Sequence, residues 1–399
     1  MSRYDVVVVG GGPIGSVAAR SAAAFGARVL LIERRASLGG TSPCTGLVSP
    51  RTLPALGASD SSVLRRIRAV EAHAPNGHRL ILRASTDKAF VLDRPTLERE
   101  LHQRASEAGV TVQMNSEAVV VEPGRVDVRS PGGAEAIEAG VIIVAFGLSG
   151  AMSSSGSFPR PRRLFLAAQA VVESTPREPD EVCIYFGTDV APLFFAWSVP
   201  AAQGRMRVGL AVPDGQDPTA RLSGFLKRRF PGAPVLSWAS GRIPVGPIHD
   251  PLRDGILLVG DAAGQVKPLS GGGLYTGAIC GRIAGYSAAR AARQGRTSRQ
   301  DLSSYCAACE RAVGGEIRFG LAARDLLESL PNDGIDDAFD ALDQSELLRF
   351  FASEGDIDRL RVLPRRLAGK RTLWKRLLPL LTLLDRHMTD HDIASPLPR

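Results

Sequence analysis

Val6 to Val9 is an unbroken β-branched run between Asp5 and Gly10, the pattern of a parallel strand buried on both faces. Alanines at helical spacing (Ala18, Ala19, Ala22, Ala23) follow and stop at Gly26, after which Arg28 to Ile32 repeats the buried-strand pattern up to Glu33. Short β-rich pieces occupy 79–82 and 90–92. A helical period covers Thr96 to Ala108, Val110 to Val112 returns to strand, and Val119–Val121 with Val126–Val128 reads as a hairpin. Val141 to Ala145 is another buried run, ending at Gly147. From Leu164 to Val212 the alternation is β, with Phe194 to Val199 as one strand, before Ile256 to Val259 returns to the buried pattern. Beyond Asp301 the chain reads as helices separated by acidic turns.

This order predicts an α/β chain, α+β overall: a Rossmann-like dinucleotide-binding domain with an inserted antiparallel β-sheet domain for substrate, and a C-terminal helical region. The dinucleotide domain is expected to be discontinuous, over 1–68, 94–155 and 246–300. Residues 69–93 and 156–245 form the inserted sheet, and 301–399 the helices. The serine-rich stretch Ser149 to Ser157 is the expected crossover.

The first chemistry lies in the turn after the first strand. Gly10-x-Gly12-x-x-Gly15, with Pro13 and Ile14 opening the helix, gives a tight turn, a close backbone approach for a pyrophosphate and a helix N-terminus aimed at it. Glu33, followed by Arg34, stands 18 residues past Gly15, where an acceptor for a ribose hydroxyl belongs, and it disfavours a 2′-phosphate. FAD and NAD both satisfy this motif. Leu257 to Gly264 then places Asp261 after Gly260 at a distant strand end, as in two-domain flavoproteins, where the acid bonds the ribityl chain of FAD. Pro268 and Gly271-Gly272-Gly273 follow, opening a helix whose N-terminal dipole suits the anionic edge of reduced flavin.

With Asp93-Arg94 before a helix, Gly260-Asp261-Ala262-Ala263-Gly264, Pro268 with Gly271 to Gly273, and Phe195-x-Trp197-x-Val199-Pro200, the chain resembles the geranylgeranyl reductase family of FAD-dependent oxidoreductases, within the p-hydroxybenzoate hydroxylase-like class. The resemblance spans roughly residues 4 to 330. It implies FAD held by Gly10, Gly12, Gly15, Glu33, Arg94 and Asp261, and reduction of isolated prenyl double bonds. Phe195 and Val199 stand where the family more usually has Tyr and Phe. Phe195, Trp197 and Val199 share one face of their predicted strand and are the candidate wall of an apolar substrate cavity. Cys44, in Cys44-Thr45-Gly46, is the candidate catalytic residue beside the flavin, with proton donation, redox sensing and plain packing as its readings. Ala145-Phe146-Gly147 replaces the Ala-Asp-Gly of aromatic hydroxylases, which favours a reductase. A flavin monooxygenase or tailoring enzyme of a small natural product stays as the alternative, and a docking flavoprotein without turnover as a third. With one dinucleotide fingerprint, the electron donor stays open among NADH, NADPH and a ferredoxin-like protein.

Composition changes this picture at two points. The 399 residues carry a net charge of +8, and six of those charges fall between Arg365 and His387. That concentration, mixed with leucines and Trp374, argues for an anionic membrane surface and against nucleic acid, with the stretch from Lys370 to Leu384 as the expected contact. The five cysteines fit neither a zinc site nor a disulfide framework, so no metal is expected. No leader precedes the first strand and no apolar run is long enough to span a bilayer, so a cytoplasmic protein, peripheral at the inner face of the membrane, is expected.

Overall fold

The computed structural model describes residues 3–38, 44–148, 158–161, 163–368 and 370. The strand Arg3–Val9 lies between Gly133–Val144 and Val29–Ile32, parallel to both. Thr111–Gln113 extends the sheet beyond Val29–Ile32, and Ile256–Leu258 extends it on the other side, parallel to Ile142–Val144. The sheet is therefore assembled from segments on either side of the β region, as the buried-strand pattern predicts.

Both faces of this sheet are covered, which explains why its strands read as continuous apolar runs. Val6, Val8, Val141, Ile143 and Leu257 pack under the helices Pro13–Ala24 and Leu274–Gln294. Val7, Val9, Ile142 and Val144 pack on the opposite face against Val126 and Val128 of the hairpin Glu117–Glu122/Arg125–Ser130. The two helices approach backbone to backbone, since a Cβ on Gly285 would collide with the Ala18 carbonyl and one on Gly277 would lie 2.8 Å from Ile14. The small residues of both helices are thus packing residues.

A seven-stranded sheet forms the second layer, in the order Val235–Val245, Arg163–Glu173, Arg205–Pro213, Ala196–Pro200, Glu181–Tyr185, Ala69–His73, Arg79–Arg83. All neighbours are antiparallel except Glu181–Tyr185 beside Ala69–His73. Leu222, Phe225 and Leu226 of the helix Pro218–Arg229 bury its back face. Leu47–Val48, Ala89–Leu92 and Val63–Ile67 form a small third sheet. The aromatic strand begins at Ala196, two residues later than its sequence pattern predicts. Leu193 adopts a left-handed conformation (φ 60) and turns the chain there, so Phe194 and Phe195 lie on the approach to the strand.

The C-terminal region contains the helices Arg299–Cys309, Gly315–Ser329, Asn332–Leu342, Ser345–Glu354 and Val362–Ala368. It is tied to the sheets by His78, hydrogen-bonded to Asp340 (2.8 Å) and Asp343 (3.0 Å), and by Lys88, which donates to the Ser353 carbonyl at 2.7 Å. No helix among the described residues is long and apolar enough to cross a membrane. The crossover Ser149 to Ser157 and, apart from Lys370, the basic stretch to Leu384 lie outside the described residues.

Candidate functional site

The first glycine turn divides its work among its members. Gly10 has φ +108, and a Cβ there would meet the Ala145 carbonyl oxygen at 2.5 Å; a Cβ on Gly15 would collide with the Gly10 carbonyl. These two glycines close the turn on its own sheet. Gly12 differs, since no atom lies within 4 Å of the position its Cβ would take, although it caps a helix whose N–H groups point outward. It leaves open space where an anionic group can approach, and Pro13 starts the helix without needing a donor.

Beneath this turn sits a polar scaffold that the sequence pattern left unseen. His102, buried on the helix Arg94–Glu107, donates from Nε2 to the Gly11 carbonyl at 2.5 Å. Glu33 is 5% exposed and accepts from Gly11 N (2.7 Å), Arg35 N (2.9 Å) and Arg35 Nε (2.9 Å). Burial works to raise its pKa, but the hydrogen bonds from Arg35 and Gly11 outweigh it and hold the carboxyl below the ordinary value. Arg34 is exposed, and Arg35 is the neighbour that engages the acid.

Arg35 continues to Glu98 at 2.9 Å, and Glu98 in turn binds Arg94 Nη2 at 2.9 Å. Arg94 is buried and its Nε has no hydrogen-bond partner among the described residues, an orphaned donor at the heart of the site. Burial would lower its pKa, yet Cys44 and Glu98 raise it further, so the guanidinium stays charged. Cys44 also faces Arg207, which donates to the carbonyls of Thr45 (2.7 Å) and Leu92 (2.9 Å), and its Sγ accepts from Gly46 N at 3.4 Å. A Cβ on Gly46 would lie 2.7 Å from the Arg207 guanidinium and equally near the Leu92 carbonyl. The Cys44–Gly46 loop is therefore pinned between the small third sheet, at Leu92, and the seven-stranded sheet, at Arg207.

The second motif meets the first through Ile14, whose side chain lies against the positions of Gly260 and Gly277. Gly260 (φ +70) and Gly264 (φ +66) bound the turn that presents Asp261. Burial pushes the Asp261 carboxyl up, partly offset by the charge of Arg94. A Cβ on Gly273 would meet Asp261 Oδ1 at 2.6 Å, so only glycine lets the helix begin so close to the acid. The turn is fixed from below. Gln265 accepts from Gly260 N and donates to Tyr305 at 2.8 Å each, and Tyr305 donates to the Leu258 carbonyl at 2.8 Å. Pro268, Gly271 and Gly272 complete a loop closed by Gly271 N to the Lys267 carbonyl at 2.9 Å.

The front face of the seven-stranded sheet, from which Arg207 reaches the Thr45 carbonyl, carries Trp197, which is paired with Gly209. A Cβ on Gly209 would lie 2.6 Å from the indole, so the ring rests flat on the bare backbone. Phe195 packs edge-on to Trp197 at 6.2 Å. Val199, 1% exposed, belongs to a core cluster with Ile67, Val91 and Val182. Phe146, where hydroxylases have an acid, packs edge-on to Phe158 at 5.9 Å. On the opposite face, Glu71, His73 and Cys183 bring ligand-type atoms within 4.8 Å of one another, with Glu71 paired to Arg79 at 3.1 Å.

Comparison with known proteins agrees with this geometry. Residues 5–156 match the family model described as FAD dependent oxidoreductase. The chain is 33% identical to digeranylgeranylglycerophospholipid reductase 2 of Methanothermobacter thermautotrophicus, over 90% of this chain and 96% of that one. It is 32% identical to the protein of the same name from Methanopyrus kandleri, over 88% and 93%. Its fold is similar to a geranylgeranyl bacteriochlorophyll reductase-like protein of Thermoplasma acidophilum, with a TM-score of 0.81 and 24% identity over 96% of this chain and all of that one. It is also similar in fold to p-nitrophenol 4-monooxygenase of Pseudomonas putida, with a TM-score of 0.69 and 18% identity over 88% and 97%.

Proposed function

Because the chain belongs to the geranylgeranyl reductase family of FAD-dependent oxidoreductases, we propose that it saturates isolated carbon–carbon double bonds in the isoprenoid chains of a lipid. The observation that carries this reading is the aromatic surface of Phe195 and Trp197 on the sheet face from which Arg207 reaches the Cys44–Gly46 loop. Such a wall selects a substrate by shape and burial, which suits a prenyl chain and not an acid or a sugar. The relatives named as reductases of digeranylgeranylglycerophospholipid point to a lipid of that chemical class.

FAD is assigned to the open edge at Gly12, the helix start at Pro13 and Ile14, the acid Glu33, the orphaned Nε of Arg94, and Asp261 with the loop Pro268 to Gly273. The fit rests on the space at Gly12 and on the Arg94 donor, which a bound anion or carbonyl would satisfy. Bound FAD, once reduced, supplies the hydride delivered to one alkene carbon. Cys44, which lies beside Arg94 and Arg207, is assigned to deliver a proton to the other carbon. The wall around Trp197 positions the double bond and excludes water. The basic stretch beginning at Lys370 is assigned to docking on an anionic membrane, where such a lipid resides.

Anaerobic incubation of dithionite-reduced protein with prenyl lipids, followed by mass spectrometry, tests the reading. Addition of hydrogen pairs without oxygen is expected. A hydroxylated product that forms only with oxygen would overturn it.

A further inference from the structure

Arg324, on the helix Gly315–Ser329, is fully buried at 0% exposure, an unusual position for a side chain that stays charged. Its guanidinium spends its donors on three backbone carbonyls: Nε on Pro268 (3.1 Å), Nη2 on Leu269 (2.5 Å) and Nη1 on Leu193 (2.7 Å). The first two belong to the glycine-rich loop assigned above to the flavin. The third belongs to the left-handed residue that turns the chain into Phe194, Phe195 and the aromatic strand. The guanidinium carbon also lies 4.2 Å from the centre of the Phe194 ring and 5.3 Å from that of Phe165. One side chain from the C-terminal region therefore touches both halves of the site at once.

We propose that Arg324 is a positioning residue that sets the register between the loop Lys267–Gly273 and the aromatic substrate wall, and so fixes where the substrate double bond lies relative to the flavin. The inference rests on the assignment of FAD to that loop.

The physical argument is the planarity of the peptide. In a trans peptide the N–H points opposite to the C=O, so anchoring the carbonyls of Pro268 and Leu269 on Arg324 turns the N–H groups of Leu269 and Ser270 away from the helix. Without the anchor both peptide planes are free to rotate, and the loop loses one orientation. The surroundings agree with a held loop. A Cβ on Gly320, one turn before Arg324, would lie 2.9 Å from Pro268 Cδ, so the helix rests directly on the loop. On the far side, Lys267 pairs with the buried carboxylate of Asp358 at 2.5 Å, and Asp358 also accepts from Ser49. Burial pushes the Arg324 pKa down to about 10, opposed by Glu328, so the residue remains a cation at neutral pH.

The test uses the full chain in three forms: wild type, Arg324→Lys and Gly320→Ala. Lysine keeps the charge but cannot fork onto three carbonyls. Alanine removes no polar group and favours the helix, yet its methyl pushes on Pro268. For each form, the apoprotein melting temperature, the FAD dissociation constant, the visible spectrum of bound flavin and the KM and kcat for a prenyl lipid are measured. We expect FAD affinity to fall about tenfold in Arg324→Lys and at least threefold in Gly320→Ala, with an altered flavin spectrum and a lower kcat in both. Wild-type FAD affinity, spectrum and kcat in Gly320→Ala, with Arg324→Lys either equally normal or merely less stable, would overturn the proposal and leave Arg324 a packing residue. A wild-type chain that binds no FAD would instead refute the cofactor assignment, and this inference with it.

Discussion

Substituting Gly12 by alanine separates cofactor binding from folding at a single methyl group. Gly12 has φ −66 and ψ 177, extended backbone that any residue adopts, and a Cβ there meets no atom within 4 Å. The apoprotein should hardly notice the change. Alanine is the poorer helix cap, by up to about 1 kcal/mol, and this is offset by about 0.4 to 1 kcal/mol from the smaller entropy of the unfolded chain. The bound pyrophosphate should notice it strongly. A methyl group over the helix N-terminus moves the anion away from the backbone donors, and losing even one or two charge-assisted hydrogen bonds costs about 3 kcal/mol, or roughly a hundredfold in affinity. The assay is flavin titration of stripped protein followed by fluorescence, with thermal melting of the apoprotein alongside. Gly15→Ala is the contrast, because its Cβ would strike the Gly10 carbonyl, and overpacking of that kind costs about 1 to 3 kcal/mol of fold stability. If Gly12→Ala binds FAD within threefold of wild type, the dinucleotide does not cross the open edge at Gly12 and the assignment of the turn fails.

Other consequences follow from the same geometry. Because burial raises the Asp261 pKa, its charge costs the apoprotein stability above that raised value, and the cost fades as pH falls to the ordinary aspartate range. Asp261→Asn should therefore melt higher than wild type at neutral pH, match it in acid, and bind FAD more weakly; a melting difference independent of pH would refute the buried-charge account. His78 has the opposite sign. Its hydrogen bonds to Asp340 and, against some burial, to Asp343 raise its pKa, so the docking of Asn332–Leu342 is strongest below the ordinary histidine value and weakens as pH rises through the raised one. The protection of amides in that helix, taken relative to their intrinsic exchange rate, should fall as pH rises from the ordinary histidine value through the raised one, and His78→Gln should remove that fall. Trp197→Ala should keep its flavin and lower kcat/KM for a prenyl substrate by about ten- to a hundredfold, and loss of flavin in that variant would place the indole at the cofactor instead.

What the sequence announced and what it concealed differ in range. The turn from Gly10 to Gly15 and the strands around it were legible because their signals are local: glycines at fixed spacing, β-branched runs, an acid at a strand end. The return of Ile256 to Leu258 to the first sheet was legible through its buried-strand pattern. The scaffold beneath the site was not. His102 reaches Gly11 across 91 residues, and Arg324 reaches Leu193 across 131, so no spacing rule brings those pairs together. Gln265 lay beside a motif, yet only its bond to Tyr305 gives it a role. Arg35, which the motif did not single out, donates to Glu33 from both its backbone and its side chain. The aromatic strand starts late because Leu193 takes a conformation its side chain does not advertise, and Val199 entered a core that the alternation alone could not distinguish from a cavity.

The return of Ile256–Leu258 to the first sheet, and of Leu274–Gln294 to the first helix, also has a consequence for how the chain is made. The small-residue face of Pro13–Ala24 has its partner roughly 250 residues further on, and at typical elongation rates of about 5 to 20 residues per second that partner leaves the ribosome about 12 to 50 s later. During that interval the seven-stranded sheet has already emerged, while the alanines of the first helix and the side of Val6 and Val8 that lies under Leu274–Gln294 wait for that helix to cover them. The nascent chain thus carries an exposed apolar edge through most of its synthesis, and the nucleotide pocket comes into being only when its last glycines arrive. Early truncation products should be sticky and colourless, whatever their length short of residue 294.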